Sequence, residues 1–291
     1  MQYGNIKCLI LIPFFLTNNS YAGAWTLPKD DWQLINQGTM LQVPNMRDYD
    51  AKPDYHIHSQ LEYGINDDLT FGSKLGYDRY YVKLTRYKQI WKVSHYNVDN
   101  EYYLRKKLYQ QDKFVWSVAA SVKQPYKDNI FASNSKYEYE IRSLAGYRFR
   151  PDEYINMEVA YRHVTNFPEA RLDISMGRDI NDKITIYTEF FTKYYLKLPD
   201  LAISAQEKSA YNSLYGLYTP GVKDVNIHHL KRIVQILHYK VVDQKYPFAI
   251  DAQISAGYNI NKLIKLQAGV NYSMFPSKSN LGLIFGVWIN Y

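Results

Sequence analysis

The chain has 291 residues, a single cysteine and a formal net charge of +7, which is too mild and too evenly spread for a nucleic-acid-binding surface. Aromatic residues make up 16% of it, with 30 tyrosines, a usage that suits strands and membrane interfaces better than a soluble core. One cysteine excludes a disulfide framework, and no stretch past the first 22 residues approaches the about 20 apolar residues that a spanning helix needs.

The first element in chain order is a leader. "MQYGNIK", with Lys7 as its only charge, precedes the apolar run "CLILIPFFL" and the small residues Ser20, Tyr21 and Ala22. Basic start, short apolar core and small cleavage residues are the order of a secretory signal, so the sequence predicts a signal peptide over 1–22, cut after Ala22, and a mature domain over 23–291. Cys8 falls inside the leader and lacks the context of a lipoprotein site. The mature chain then has no thiol for catalysis or metal binding.

From about residue 31 the chain reads as long strands. After a first strand over about 31–43, Tyr55–Tyr63 places Tyr55, Ile57 and Leu61 on one row and His56, His58, Gln60 and Glu62 on the other. The same two-row pattern recurs from Leu69, then over Tyr96–Tyr109, Phe114–Lys123, Tyr137–Arg148, Ile155–Arg162, Ala170–Gly177, Ile184–Phe191, Phe248–Tyr258 and Ile264–Ser273. A soluble sandwich turns such an apolar row inward, whereas a transmembrane barrel turns it to lipid. Sandwich strands average five or six residues and spanning strands about 9 to 11, and these are the longer kind. The fold class expected is all-β: a closed antiparallel transmembrane barrel.

Three short turns share Ile-Asn: Ile65-Asn66, Ile180-Asn181 and Ile260-Asn261. Asn bonds its own backbone and tolerates left-handed turns, so the reuse has a mechanism. If all three lie on one side of the membrane, an even number of strands separates each pair. Between the second and third, 184–195, 226–240 and 248–258 make three, and "SAYNSLYGLYT" (209–219) supplies a fourth. The expected total is fourteen strands, with twelve as the alternative.

The last strand, "NLGLIFGVWINY", carries Leu281, Leu283, Phe285, Val287, Ile289 and Tyr291 on one row. An apolar row ending on an aromatic resembles the C-terminal signal of Gram-negative outer-membrane β-barrel proteins, with Phe285, Val287, Ile289 and Tyr291 as that signal. The resemblance implies an outer-membrane location, lipid and lipopolysaccharide around the barrel, and recognition by the barrel-assembly machinery. The start of the mature chain, "GAWTLPKDDWQL", is similar to that of outer-membrane transporters grouped with phenol-degradation operons.

The rows opposite the apolar ones are the candidate lumen lining. They carry His56, His58, Glu62, Asp78, Asp99, Glu101, Glu138, Glu140, Glu158, Asp173, Glu189 and Asp251 against Lys74, Arg105, Lys107, Lys123, Arg142, Arg148, Arg162, Arg171 and Lys265. The signs nearly cancel, which fits either charges paired to satisfy a wet interior or a pore with weak ion selectivity. His56 and His58 share a row, but no third ligand can be named, so neither a metal nor another cofactor is expected. No nucleophile–base pair converges: His58 and Ser59 alternate to opposite faces, and Asp67-Asp68 sits in a short turn. An enzyme is not expected. The leading reading is a channel or small-solute transporter. The alternative is a closed barrel whose external loops bind a partner, with basic-aromatic 80–92 as the candidate loop and 192–209 as either constriction or adhesive loop.

Overall fold

A computed structural model describes residues 23–42, 54–86, 89–124, 137–163, 168–196, 247–275 and 280–291. The strands are β1 (Trp32–Gln42), β2 (Asp54–Asn66), β3 (Leu69–Arg86), β4 (Gln89–Gln111), β5 (Phe114–Gln124), β6 (Glu138–Arg150), β7 (Glu153–His163), β8 (Glu169–Asp179), β9 (Ile184–Tyr195), β10 (Phe248–Asn259), β11 (Ile264–Phe275) and β12 (Asn280–Asn290). Each strand pairs antiparallel with its sequence neighbours, and β1 pairs with β12, so among the described residues the sheet is a closed twelve-strand barrel.

The total is therefore twelve, not fourteen. β9 hydrogen-bonds directly to β10, with Phe248 opposite Tyr194 and Tyr258 opposite Ile184, leaving no gap in the wall for strands over 209–219 and 226–240. Those two segments lie outside the described residues. Parity explains the error, because two strands between the Ile-Asn turns satisfy the even rule as well as four do.

The turns behave as their composition requires. Asn181 Oδ1 accepts from the backbone N–H of Lys183 and Ile184, both at 2.9 Å, and Asn261 Oδ1 accepts from Leu263 and Ile264 at 2.8 Å. In the first turn Asn66 Oδ1 takes the Asp68 N–H at 2.9 Å. All three lie at the end of the barrel where β1 begins and β12 stops.

Exposure follows the two-residue period. Ile57, Leu75, Leu104, Ile141, Val159, Ile254 and Phe285 are exposed outward, while Glu62, Thr70, Glu101, Ser117, Glu140 and Gln267 are buried inside. An apolar belt facing out around a polar interior inverts a soluble fold and is stable only in lipid. The row of Phe285, Val287 and Tyr291 faces outward, and Ile289 is half-buried on the same row. Two strands are longer than the rest. β3 and β4 have 18 and 23 residues, and their pairing continues to Arg86 opposite Gln89. Most of the expected 80–92 loop is thus a projecting two-stranded ribbon.

Closure is made by the first and last strands. Trp32 and Tyr291 exchange backbone hydrogen bonds at 3.0 and 2.8 Å, their rings stack at 5.6 Å, and Gln33 Nε2 donates to Asn290 Oδ1 at 2.5 Å. Deleting Tyr291 together with Trp32→Ala should leave the chain exported but largely unassembled. The check is the fraction migrating as a compact band on unheated gels, and a wild-type fraction would show that the seam closes without this pair.

Candidate functional site

The interior holds two structures. One is a lattice of charges centred toward the long-loop ends of β6, β7 and β8. Glu140, 2% exposed, stands at its centre and accepts from three guanidiniums: Arg142, Arg162 Nε at 2.6 Å and Arg171 Nη1 at 3.4 Å. Arg142 also pairs with Glu101 and, at 3.7 Å, with Glu158. Arg171 pairs with Asp173, and Arg162 reaches Glu169 at 3.7 Å. Carboxylates on alternate residues of neighbouring strands meet arginines one register step away, so antiparallel pairing builds the lattice from local alternation.

Around this centre the other candidate residues take their places on interior rows. Arg105 binds Glu62 at 2.8 Å, and the Tyr103 hydroxyl donates to the same carboxylate. Lys123 binds Asp99 at 2.6 Å and lies opposite Glu138 in register. Lys74 lies opposite Glu101, and His56 Nδ1 is 2.9 Å from Asp78. His58 is half-buried on the same row. Glu189 accepts from Gln253 Nε2 at 2.5 Å, and Asp251 lies opposite Phe191 on the same interior row. Lys107 reaches Asp68 at 3.1 Å, while Arg148 and Lys265 line the short-turn mouth. The sequence reading missed Glu169 and its 3.7 Å partner Lys193. Glu169 opens its strand next to Pro168, and Lys193 follows the Phe190-Phe191 pair that interrupts the apolar–polar rhythm, so neither stood out.

The second interior structure was not legible at all. Residues Gly23–Pro28 enter the barrel from the short-turn end as an irregular plug. Ala24 is fully buried against Val115, Ala119 and Leu144, with Trp25 packed beside it. Interior polar groups take the plug's backbone: Arg105 Nη1 donates to Gly23 O at 2.7 Å, Ser117 Oγ to Ala24 O at 2.5 Å, and Leu27 N donates to Thr70 Oγ1 at 2.9 Å. At the rim, Thr26 Oγ1 donates to Asp67 O at 2.8 Å, and Lys29 N donates to Asp67 Oδ1 at 3.0 Å. Two glycines in the wall make room. A Cβ at Gly64 would stand 1.8 Å from Pro28 O, and one at Gly146 would stand 2.7 Å from the Trp25 ring.

No protein-family model and no curated protein matches the sequence. Solved structures do match in shape. The COG4313 outer membrane channel from Pseudomonas putida F1 superposes with a TM-score of 0.56 at 7% identity, over 94% of this chain and all of that one. The NanC porin gives 0.55 at 9%, over 88% and 98% of the two chains, and the KdgM porin 0.52 at 8%, over 89% and 99%. This is the fold of an outer-membrane β-barrel. The identities are low enough that the likeness speaks for fold alone; together with the outward apolar belt it points to the outer membrane.

Removing one partner of a buried charge cluster leaves the others uncompensated, at about 3–5 kcal/mol. Glu140→Gln should therefore lower the temperature at which the compact gel band converts to the unfolded one, and Glu140→Gln with Arg162→Gln should recover part of the loss. If the single change has no effect, the lattice carries no stability.

Proposed function

We propose that this protein is an outer-membrane channel for small polar solutes, exported by a signal peptide over 1–22, with the short-turn end and its plug facing the periplasm. The observation that carries the reading is a closed barrel with apolar residues outside and a charged, near-neutral interior. Paired walls of both signs also fit weak ion selectivity, since no ring of one sign repels a given ion. The cited solved structures, whose names describe porins and a channel, support the same reading. The similarity of "GAWTLPKDDWQL" to the start of the transporters grouped with phenol-degradation operons supports placing the chain among them, and these residues supply the plug. The outward row ending in Phe285, Val287, Ile289 and Tyr291 is the part we assign to recognition by the barrel-assembly machinery.

One observation favours the surface-binding alternative. The segment from Arg79 to Asn97, most of it the projecting ribbon, carries Arg79, Lys83, Arg86, Lys88 and Lys92 and no carboxylate, and the register sets Lys83 opposite Lys92. Like charges directly opposed are unfavourable unless an anion lies between them, and on the outer face the phosphates of lipopolysaccharide are the available anion.

The channel reading is tested in planar bilayers. The purified mature chain should give small, weakly selective openings, and deletion of residues 23–28 should enlarge them at least about twofold, because it removes the only interior segment not built into the wall among the described residues. No conduction by either protein would overturn the channel reading and leave the surface-binding one.

A further inference from the structure

The plug covers only part of the mouth. It lies against β2 to β7, and beside it a cavity of about 830 Å³ opens along the ends of β6 to β12, bordered on the plug side by Trp25, which contacts Tyr154 and Arg148 on the cavity wall. In this wall sits Lys265, 8% exposed. Its Nζ donates to Tyr187 Oη at 2.8 Å and lies 5.5 Å from the centre of that ring and 5.7 Å from the centre of Trp288, the two rings being stacked on each other. An ammonium has three donors, and this one gives a single hydrogen bond to a hydroxyl. Arg105, Lys123, Arg142, Arg162 and Arg171, by contrast, each form an ion pair with a carboxylate. Among the described residues no ion pair includes Lys265; Asp179, which lines the cavity with Asp152 and Asp182, acts on it only from beyond ion-pair distance and accepts from Thr185 Oγ1 at 2.6 Å.

We propose that this cavity is a binding site for a small organic monocarboxylate, held by its charge on Lys265 and by its apolar body against Tyr154, Tyr187 and Ile260. The aromatic pair that could receive a cation already holds the lysine, and of the cavity's carboxylates Asp152 and Asp182 lie in the short turns at its rim while Asp179 accepts from Thr185. A phosphate dianion fits poorly, because one buried ammonium with two donors to spare meets a single charge and no more. Lys183 and Lys262 in the short turns and Arg148 on β6 are the other cations that line the cavity. The site lies on the path that the channel reading requires and so deepens that reading, but its occupation does not depend on conduction.

The test uses the full mature chain in detergent, following tryptophan fluorescence, which Trp25 and Trp288 place at the cavity. Benzoate is the probe, benzamide its neutral counterpart and inorganic phosphate the competing anion. Benzoate should bind saturably, benzamide at least about tenfold more weakly, and phosphate at equal concentration should not displace benzoate. Lys265→Met, which keeps an aliphatic stem beside the rings, should cost at least about tenfold, and Arg148→Gln, at an exposed position, a smaller factor; both are checked as compact on unheated gels. If Lys265→Met does not fold, Arg148→Gln and the benzamide arm decide. Equal binding of benzamide, displacement by phosphate, or unchanged affinity in both variants overturns the proposal. A barrel that binds benzoate without conducting sinks only the channel reading, and one that conducts without binding sinks only this site.

Discussion

A strand in lipid cannot leave its edge unpaired, because no water reaches the hydrocarbon region to take up the free N–H and C=O groups. Everything else in this protein follows from closing that edge. Strand lengths of 11 to 13 residues on most staves match the span, and antiparallel pairing of each strand with the next reduces closure to a single long-range contact between β1 and β12. That contact joins opposite ends of the chain, Gln33 with Asn290 among them, so it carries the largest loop-closure cost, and it is fastened by a paired backbone, stacked rings and an amide–amide bond.

Closure turns one face of every strand inward and creates a second constraint. A twelve-strand interior is too wide for side chains from the wall alone to fill with apolar packing, and too narrow to leave buried charge unpaired. The chain uses both remaining solutions. Arginines and carboxylates across β4 to β8 satisfy one another, and near the short turns the plug brings its own backbone into the space, where Arg105, Ser117 and Thr70 take its polar groups. Arg105 shows the economy of the design: one guanidinium neutralises Glu62 and also anchors Gly23.

The outer half of this architecture was legible in the sequence and the inner half only in part. Alternation is a local, two-residue signal, so the strands, the lipid-facing rows and the identity of the interior charges could be read directly from residues such as Ile57 and Glu62. The Asn side chains announced their turns for the same reason, each bonding a backbone group two or three residues away. Strand number was not local. Tyr-rich 209–219 alternates as well as a true stave does, and parity accepts two added strands as readily as none; only the direct pairing of β9 with β10 decides. The plug was invisible because it has no period. Its partners lie 41 to 132 residues away, and the one trace it leaves in the wall is negative, the absence of a side chain at Gly64 and Gly146.

The two halves of the wall differ in kind, and this fixes where space remains. Ionisable residues gather on β2 to β9, whereas β10 to β12 and β1 present mainly amides, hydroxyls and glycine inward, with Gln33, Gln253, Ser255 and Gln267 buried. A charge on that second wall would have no partner within one register step, so neutrality there is the cheaper solution. The plug, whose backbone needs strong donors and acceptors, is drawn to the first wall. The room it leaves at the mouth therefore lies along the second, and the one buried cation on β11, Lys265, stands at its edge against aromatic rings rather than in an ion pair.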